Sequence, residues 1–524
     1  MIFVVGSGPA GVSCAQGLLT SGADVTLIDS GQTLEANKLT QIENLARSDF
    51  AHWTAEATGF LKQGMESGPS GIPLKLAYGS AFPYREPAGA TPVVCEDADT
   101  RPSYALGGLS TVWGSVVLPY RQEDLDEWPV TVRDLEEGYR AVLKWVPLAA
   151  RRDDLHSIFP LYSEQYSPLP LSRQAAALLG DLEAHKRALR NNGVLFGTSR
   201  LAVNAAQKNG PGCVACGLCM YGCPHRLIYS SDQTLPMLQS HPRFQYRNGL
   251  TVRTVEENAG GVALTAVNGE GRSVRLTGDR VFLAAGVLGT ASILLRSTGQ
   301  YNQPVTLKDS QYYLLPLLRL KGTANVATER LHTLAQLFLE IFDPAVSPYT
   351  IHLQTYTYNE LFRDPVVAKL GPARPFFPLE AFIGRLLLFQ GYLHSAHSPQ
   401  IQLTLHKRDG GDELVAAGVP NPDAGKTLRK LVRKLTGLAR LTGLMPLLPM
   451  LQPGKPGRGF HSGGTFPMRN NPGPGESDVF GRPCGMERIH AVDASVFPTV
   501  PATTITLTVM ANAYRIGSLL ERYA

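Results

Sequence analysis

His461 opens the stretch H-S-G-G-T-F-P-M, Asp493 opens D-A-S-V-F-P-T, and Thr504 precedes the run I-T-L-T-V-M-A-N-A-Y-R-I. A histidine beside a glycine pair, an acid at a small-residue turn and a helix-like run suit a base placed over a cofactor. The second loop and the helix N-terminus would close around it. An imidazole near its ordinary pKa can take a proton from a hydroxyl group at neutral pH. The chain has twelve histidines, and His461 is singled out by its position before the glycine pair.

A second signal lies at the other end of the chain. The apolar run I-F-V-V at 2–5 leads directly into Gly6-Ser7-Gly8-Pro9-Ala10-Gly11. Helical spacing follows from Cys14 to Leu19, and a second apolar run, Val25 to Ile28, ends in Asp29. Strand, glycine turn, helix, strand and terminal acid in this register form a dinucleotide fingerprint. Gly6 permits the tight turn, Gly8 lets the backbone approach a pyrophosphate, and Gly11 allows close helix–strand packing. The helix N-terminus attracts phosphate charge. Asp29 is placed to accept from a ribose 2′-hydroxyl, which fits FAD or NAD better than NADP.

A third cluster is Cys213-x2-Cys216-x2-Cys219-x3-Cys223-Pro224, four thiols in eleven residues. This is the spacing of bacterial iron–sulfur ferredoxins. Three of the thiols could hold a [3Fe–4S] cluster, or Cys484 or Cys95 could complete a [4Fe–4S] site. Zinc on four cysteines and a thiol-rich loop without metal remain open.

The elements that must position these groups belong to more than one domain, because 524 residues exceed a single typical core. Hydrophobic content of 44%, charged content of 18% and net charge of +5 describe an ordinary globular chain. No basic block is interleaved with aromatic residues, which argues against nucleic-acid binding. No apolar run is long enough to span a bilayer and no cleavable leader is apparent, so a cytoplasmic protein is expected. Residues 66–100 read as long loops, and 124–139 as a turn leading into a helix capped by Thr131 or Asp134. Residues 244–283 alternate like antiparallel strands, with turns at Asn258–Gly261 and Asn268–Gly271. They end in V-F-L-A-A-G, before a further strand-to-helix turn. The region 305–405 is strand-rich, and 423–444 forms a basic amphipathic helix.

Together the fingerprint at Gly6–Gly11, G-G-x-S-T at Gly107–Thr111, Trp128-Pro129, A-A-G-x-x-G-T at Ala284–Thr290, H-x-G-G-T and D-A-S resemble the glucose–methanol–choline (GMC) family of FAD-dependent oxidoreductases. The resemblance implies an α/β chain with a discontinuous Rossmann-like FAD-binding domain, 1–125, 195–300 and 456–524. An α+β substrate domain with an antiparallel sheet would take 126–194 and 301–455. It also implies cofactor contacts at Gly6, Gly8, Pro9, Ala10, Gly11, Asp29 and Ser30, and at Gly107, Gly108, Ser110 and Thr111 along the pyrophosphate and flavin. Val252 would meet adenine, and Ala285 and Gly286 the diphosphate. Asp493 and Ala494 would reach the ribityl–phosphate segment, and Thr504, Ile505 and Thr506 the flavin pyrimidine edge.

The implied chemistry is oxidation of a CH–OH group of an alcohol, polyol or sugar, with His461 as base. Thr504 stands where the family normally supplies a second His or Asn, and a hydroxyl cannot replace that base. His394, His397 and Ser398 are other candidate donors. The G-G-L-S-T-V-W loop is similar to that of pyranose oxidases, with Val112 in place of the flavin-bearing histidine, so non-covalent FAD is expected. The electrons would pass to a carrier protein or a quinone, through an iron–sulfur cluster if one is present. An oxygen-using oxidase and a flavoprotein without turnover are the alternatives.

The basic helix places Leu428, Leu431, Val432, Leu435 and Leu438 on one face. That pattern suits a half-buried helix, or contact with a membrane surface and a lipid-linked substrate.

Overall fold

The computed structural model describes residues 1–64, 72–206, 212–371 and 376–520. Residues 66–71 of the expected loop stretch therefore lie outside the described residues.

The run Ile2–Val5 is the central strand of a five-stranded parallel sheet. Its order is Ile489–Ala491, Arg280–Leu283, Ile2–Val5, Val25–Ile28, Phe244–Arg247. A parallel strand covered on both faces must be apolar throughout, and Ile2–Val5 and Val25–Ile28 are buried at every position. The helix Pro9–Thr20 follows, with proline in its first turn, where a missing N–H is harmless. It lies against the helix Thr506–Ser518 through facing glycines. A Cβ on Gly17 would come within 2.4 Å of the Tyr514 carbonyl oxygen, and one on Gly517 within 2.5 Å of that of Cys14. The two ends of the chain are thus locked together beneath the fingerprint.

The region 244–283 divides between two sheets. Phe244–Arg247 and Arg280–Leu283 join the parallel sheet, contrary to the antiparallel expectation. Between them Leu250–Asn258, Gly261–Asn268 and Ser273–Gly278 form an antiparallel meander with turns at the expected places. Alternation alone does not reveal the partner of a short strand, and Phe244–Arg247 pairs far away in sequence. The helix Val132–Val142 begins as expected, with Thr131 and Asp134 in a reciprocal capping box.

A second layer is an antiparallel sheet. Its order is Leu444–Pro446, Tyr312–Arg319, Leu386–Tyr392, Ile351–Tyr356, Leu337–Ile341, Val194–Thr198. The strand Tyr312–Arg319 alternates between half-buried and buried residues along its whole length. Tyr313, Leu315, Leu317, Leu353 and Phe389 enter one apolar core together with Leu428, Leu431, Val432, Leu435 and Leu438. The basic helix, Pro422–Gly437, therefore spends its apolar face on the sheet and leaves its cations outward, as a half-buried helix does. That face is not presented to a membrane. Alternate residues of the same strands, Tyr312, Gln354, Tyr356, Gln390 and Tyr392, line a cavity on the opposite side.

A fourth sheet has the order Ser462–Gly463, Pro304–Asp309, Gln400–Arg408, Gly411–Val419, Val93–Glu96. Its Leu307, Ile401, Leu403 and Leu414 share a core with the parallel sheet. Its edge strand Ser462–Gly463 fixes the chain immediately after His461.

Candidate active site

One cavity of about 430 Å³ takes in the fingerprint loop, the C-terminal loops and the inner face of the antiparallel sheet. Gly6, Gly8, Pro9, Ala10, Asp29, Ser30, Gly108, Ser110, Val252, Ala285 and Gly286 line it. So do Asp493, Ala494, Thr504, Ile505, Thr506 and His461. Gly11, Gly107 and Thr111 do not line it. Gly11 lies beneath the fingerprint turn, where a Cβ would meet the Gly6 carbonyl oxygen at 1.8 Å. Gly107 donates its N–H to Ser7 Oγ at 2.9 Å, and Thr111 Oγ1 donates to the Gly108 carbonyl at 2.8 Å.

The glycine loop and the Gly107–Thr111 loop are tied into one cradle. Ser231 Oγ donates to the Ser7 and Gly107 carbonyls at 2.9 and 3.0 Å, and its N–H donates to Ser110 Oγ at 2.9 Å. Ser7 also bonds to Asp29, which Tyr246 approaches at 3.4 Å. Burial pushes the Asp29 carboxyl up to about 6 against these hydrogen bonds.

Gly8 tests whether a cofactor fits. Its backbone is extended, with φ −63° and ψ 177°, which any residue adopts. A Cβ there would find only Gly108 Cα, at 4.0 Å. Nothing in the protein demands glycine at this position. The missing side chain leaves room at a helix N-terminus where a pyrophosphate can approach the backbone. The cradle therefore fits the FAD that the loop sequences imply.

The C-terminal loops are held by equally specific contacts. A Cβ on Gly463 would fall 2.5 Å from the Ala494 carbonyl oxygen, and one on Gly464 2.6 Å from that of Phe497. Gly464 N–H donates to Ala494 O at 2.9 Å. This is why a glycine pair follows His461: the histidine loop lies directly on the Asp493 loop. Asp493 accepts from Thr290 Oγ1 at 2.5 Å and from Ser495 N–H at 2.9 Å, anchoring the helix Gly286–Ser297 to the same place. Its pKa is raised by burial.

Asp309 braces His461 from both sides. It accepts from Gly457 N–H at 3.0 Å and Ser462 Oγ at 2.8 Å, while Ser310 N–H donates to His461 O at 2.9 Å. Phe460, the preceding residue, has φ 53°, an unusual conformation for a bulky side chain. The His461 ring stacks on Tyr392 at 4.3 Å, and its Nδ1 is buried without a partner. Burial, with a smaller contribution from His352, pulls its pKa down to about 3. The imidazole is therefore neutral near pH 7, with a lone pair available. Thr504 Oγ1 is likewise buried and unpartnered, at the start of the helix Thr506–Ser518. His394 stacks on Tyr349 at 3.8 Å and its Nδ1 accepts from Ala396 N–H, so its role is local. Neither His394, His397 nor Ser398 lines the cavity.

Several lining groups were not foreseen. Tyr356 OH donates to Gln354 Oε1 at 3.2 Å, and Gln390 Nε2 donates to Tyr392 OH at 2.8 Å. A glutamine inside the apolar run L-L-L-F-Q-G-Y was the available signal. Lys75 also lines the cavity. Its ammonium donates to Trp113 O at 2.7 Å, and burial lowers its pKa to about 8.

The cysteine run stands apart, with Met220 alone of the loop reaching the cavity. Among the described residues no group of three or more His, Cys, Asp or Glu is placed to hold a metal ion. Cys213, Cys219 and Cys223 pack beside one apolar cluster and Cys216 beside another. Burial raises Cys216 to about 12 and Cys223 to about 11. As placed, these thiols do not fit an iron–sulfur cluster, and no chemistry is drawn through one.

A parallel dinucleotide sheet, a cradle open for pyrophosphate and a histidine over the same cavity define a flavin-type oxidoreductase. Two sequence patterns described as GMC oxidoreductase match residues 88–308 and 454–513, and the chain belongs to the GMC oxidoreductase family. Membership implies FAD as cofactor. No curated protein sequence matches the chain. Among solved structures it is similar to pyridoxine 4-oxidase from Mesorbium loti. The TM-score is 0.61 at 15% identity, over 100% of this chain and 99% of that one. Among the described residues, no helix is long and apolar enough to cross a membrane.

Proposed function

We propose that the protein oxidises a CH–OH group of an alcohol, polyol or sugar, with His461 taking the hydroxyl proton. The observation that carries this reading is the unpartnered Nδ1 of a neutral, buried His461 at the wall of the cavity that also contains the glycine cradle. Bound FAD supplies the hydride acceptor. The chain supplies position and proton transfer. His461 accepts the hydroxyl proton, Tyr392 fixes its ring by stacking, and Asp309 fixes its loop. Thr504 Oγ1 orients the substrate oxygen as donor or acceptor, where a second base is usual in the family. Gln354, Gln390 and Tyr356 offer amide and phenol groups to neutral hydroxyls. The pyridoxine oxidase that shares the fold makes pyridoxine a reasonable member of the test set.

The test is anaerobic mixing of the FAD-loaded protein with benzyl alcohol, D-glucose, glycerol and pyridoxine while flavin absorbance is followed. Bleaching by at least one is expected, and a flavin that none reduces overturns the reading. Hydrogen peroxide formed under air would assign the electrons to oxygen. Its absence would assign them to a carrier protein or a quinone.

A further inference from the structure

Among the described residues that line the cavity, Lys75 is the half-buried cation without a counter-ion. The other charges of that wall are placed differently. Asp29 and Asp493 belong to the cradle and the loop beside it, each held by hydroxyl groups. Arg296 pairs with Asp412. Arg458 lies 3.5 Å from Asp99 and donates to the Ile72 carbonyl at 2.6 Å. Arg101 is exposed. The Lys75 ammonium carries three N–H groups, and the Trp113 carbonyl at 2.7 Å takes one of them. Tyr84 OH donates to the Lys75 carbonyl at 3.1 Å, so the residue is fixed at both ends. Burial, opposed by Cys219, lowers its pKa to about 8, and it keeps its charge at pH 7. A cation drawn from water and given one neutral acceptor is stabilised by an anion that enters beside it.

The inner face of the antiparallel sheet relates Lys75 to His461. Tyr392 stands opposite His352, Gln390 opposite Gln354, and Leu388 opposite Tyr356. Alternate residues of a strand share a face, so these pairs form one row. At its first rung Tyr392 stacks on His461. Gln390 and Gln354 make the middle rung, and Tyr356 stands at the last. A Cβ on Gly114 would lie 3.7 Å from Tyr356 OH, and Gly114 follows Trp113, whose carbonyl holds Lys75. Trp113 is fixed in turn, its Nε1 donating to the Tyr229 carbonyl at 2.7 Å. His461 and Lys75 thus mark opposite ends of a row about 13 Å long, at about 3.3 Å per residue.

We propose that Lys75 binds a carboxylate of the substrate, so that the protein oxidises alcohols whose carboxylate lies several bonds from the reacting CH–OH group. The proposal rests on the oxidation reading above and names the substrate class of that same site. The hydroxyl lies at His461, the amides of Gln390 and Gln354 flank the middle of the molecule, and the carboxylate accepts from the remaining N–H groups of Lys75. A lone ammonium matches the single charge of a carboxylate. The carboxylate itself takes no part in the oxidation.

The test gives the FAD-loaded protein para-(hydroxymethyl)benzoate and its neutral counterpart para-(hydroxymethyl)benzamide, with anaerobic flavin bleaching followed by stopped flow. The wild type should be reduced by the acid about tenfold more efficiently than by the amide, the effect of one hydrogen bond to a charged group. Lys75→Met should erase that preference and Lys75→Arg restore it, whereas a lysine that only braced the Trp113 loop would slow both compounds together in Lys75→Met. Para-methylbenzoate and para-methylbenzamide have no hydroxyl to oxidise, and titration calorimetry with them reads binding alone, where the same preference for the acid is expected. The wild-type comparison decides the matter should Lys75→Met not fold. Equal treatment of acid and amide by the wild type, or a preference that Lys75→Met retains, overturns the Lys75 assignment alone. A Lys75→Met protein that loses FAD affinity in a fluorescence titration gives the cation to the cofactor and overturns it too. A flavin bleached by neither para compound, nor by benzyl alcohol, D-glucose, glycerol or pyridoxine, overturns the oxidation reading, and the calorimetry still decides the carboxylate site.

Discussion

Replacing two glycines of the fingerprint, one at a time, separates space kept for a cofactor from space used by the protein. A Cβ on Gly11 falls 1.8 Å from the Gly6 carbonyl oxygen and 2.9 Å from its carbon, and both are backbone atoms. Relief requires the turn to move by roughly an ångström, an overpacking strain of about 3 kcal/mol. At about 2.1 cal/mol/K per residue the unfolding entropy of 524 residues is about 1.1 kcal/mol/K, so Gly11→Ala should lower the Tm by about 3 °C. Gly8→Ala adds a methyl whose nearest neighbour is 4.0 Å away, on a backbone that alanine accepts. Losing a glycine N-cap costs about 1 kcal/mol, offset by about 0.4–1 kcal/mol from the stiffer unfolded chain. The Tm of the FAD-free protein should therefore stay within about 1 °C of wild type. If FAD lies in the glycine cradle as proposed, the same methyl would intrude where its pyrophosphate would meet backbone N–H groups. Loss of one charge-assisted hydrogen bond, about 1.5–3 kcal/mol, weakens FAD binding by about 10- to 100-fold. Thermal unfolding of the FAD-free protein and a flavin-fluorescence titration measure the two effects. Wild-type FAD affinity in Gly8→Ala, or a Tm loss equal to that of Gly11→Ala, would refute the reasoning.

Thr504→Val removes the unpartnered hydroxyl at nearly constant volume and should slow flavin reduction about tenfold, one hydrogen bond to the substrate oxygen, with stopped-flow bleaching as the measure. His490, buried in the parallel sheet and stacked on Phe282, has its pKa pulled to about 3 by burial. Because the folded pKa lies below the unfolded value of about 6.5, its contribution to stability is whole above pH 6.5 and is lost as pH falls toward 3. At pH 5 the wild type should have lost about 2 kcal/mol from this residue that His490→Gln does not lose, read as the difference between their urea denaturation midpoints at pH 7 and pH 5. Iron and acid-labile sulfide should be well below one per chain in protein purified without oxygen, as expected from thiols that form no ligand set; a stoichiometric cluster would contradict that placement.

Much of the site was legible because it is local in sequence. Ile2 to Asp29 is one continuous strand–turn–helix–strand unit, and the glycines at 463 and 464 announce the close approach to the Asp493 loop. Thr131 and Asp134 cap their helix through neighbours three residues apart. What could not be read depends on pairing between distant strands. Tyr392, His352 and Glu340 come together only through the register of three antiparallel strands, which no periodicity specifies. The assignment of Phe244–Arg247 to the parallel sheet failed to show for the same reason. The cysteine run carries a suggestive spacing, but spacing does not fix where four sulfurs point. The cationic helix suited a half-buried helix or a membrane surface, and only the sheet that covers its leucines decides for the first.

The central claim is that His461 removes the hydroxyl proton while the substrate carbon gives up hydride to FAD. It is tested most directly by anaerobic flavin reduction with an alcohol and its α-deuterated form, in the wild type and in His461→Ala. The wild type should bleach several-fold more slowly with the deuterated alcohol, and His461→Ala should reduce flavin about 10²- to 10⁴-fold more slowly while still binding FAD. Equal rates for the two alcohols, or undiminished reduction in His461→Ala, would contradict it.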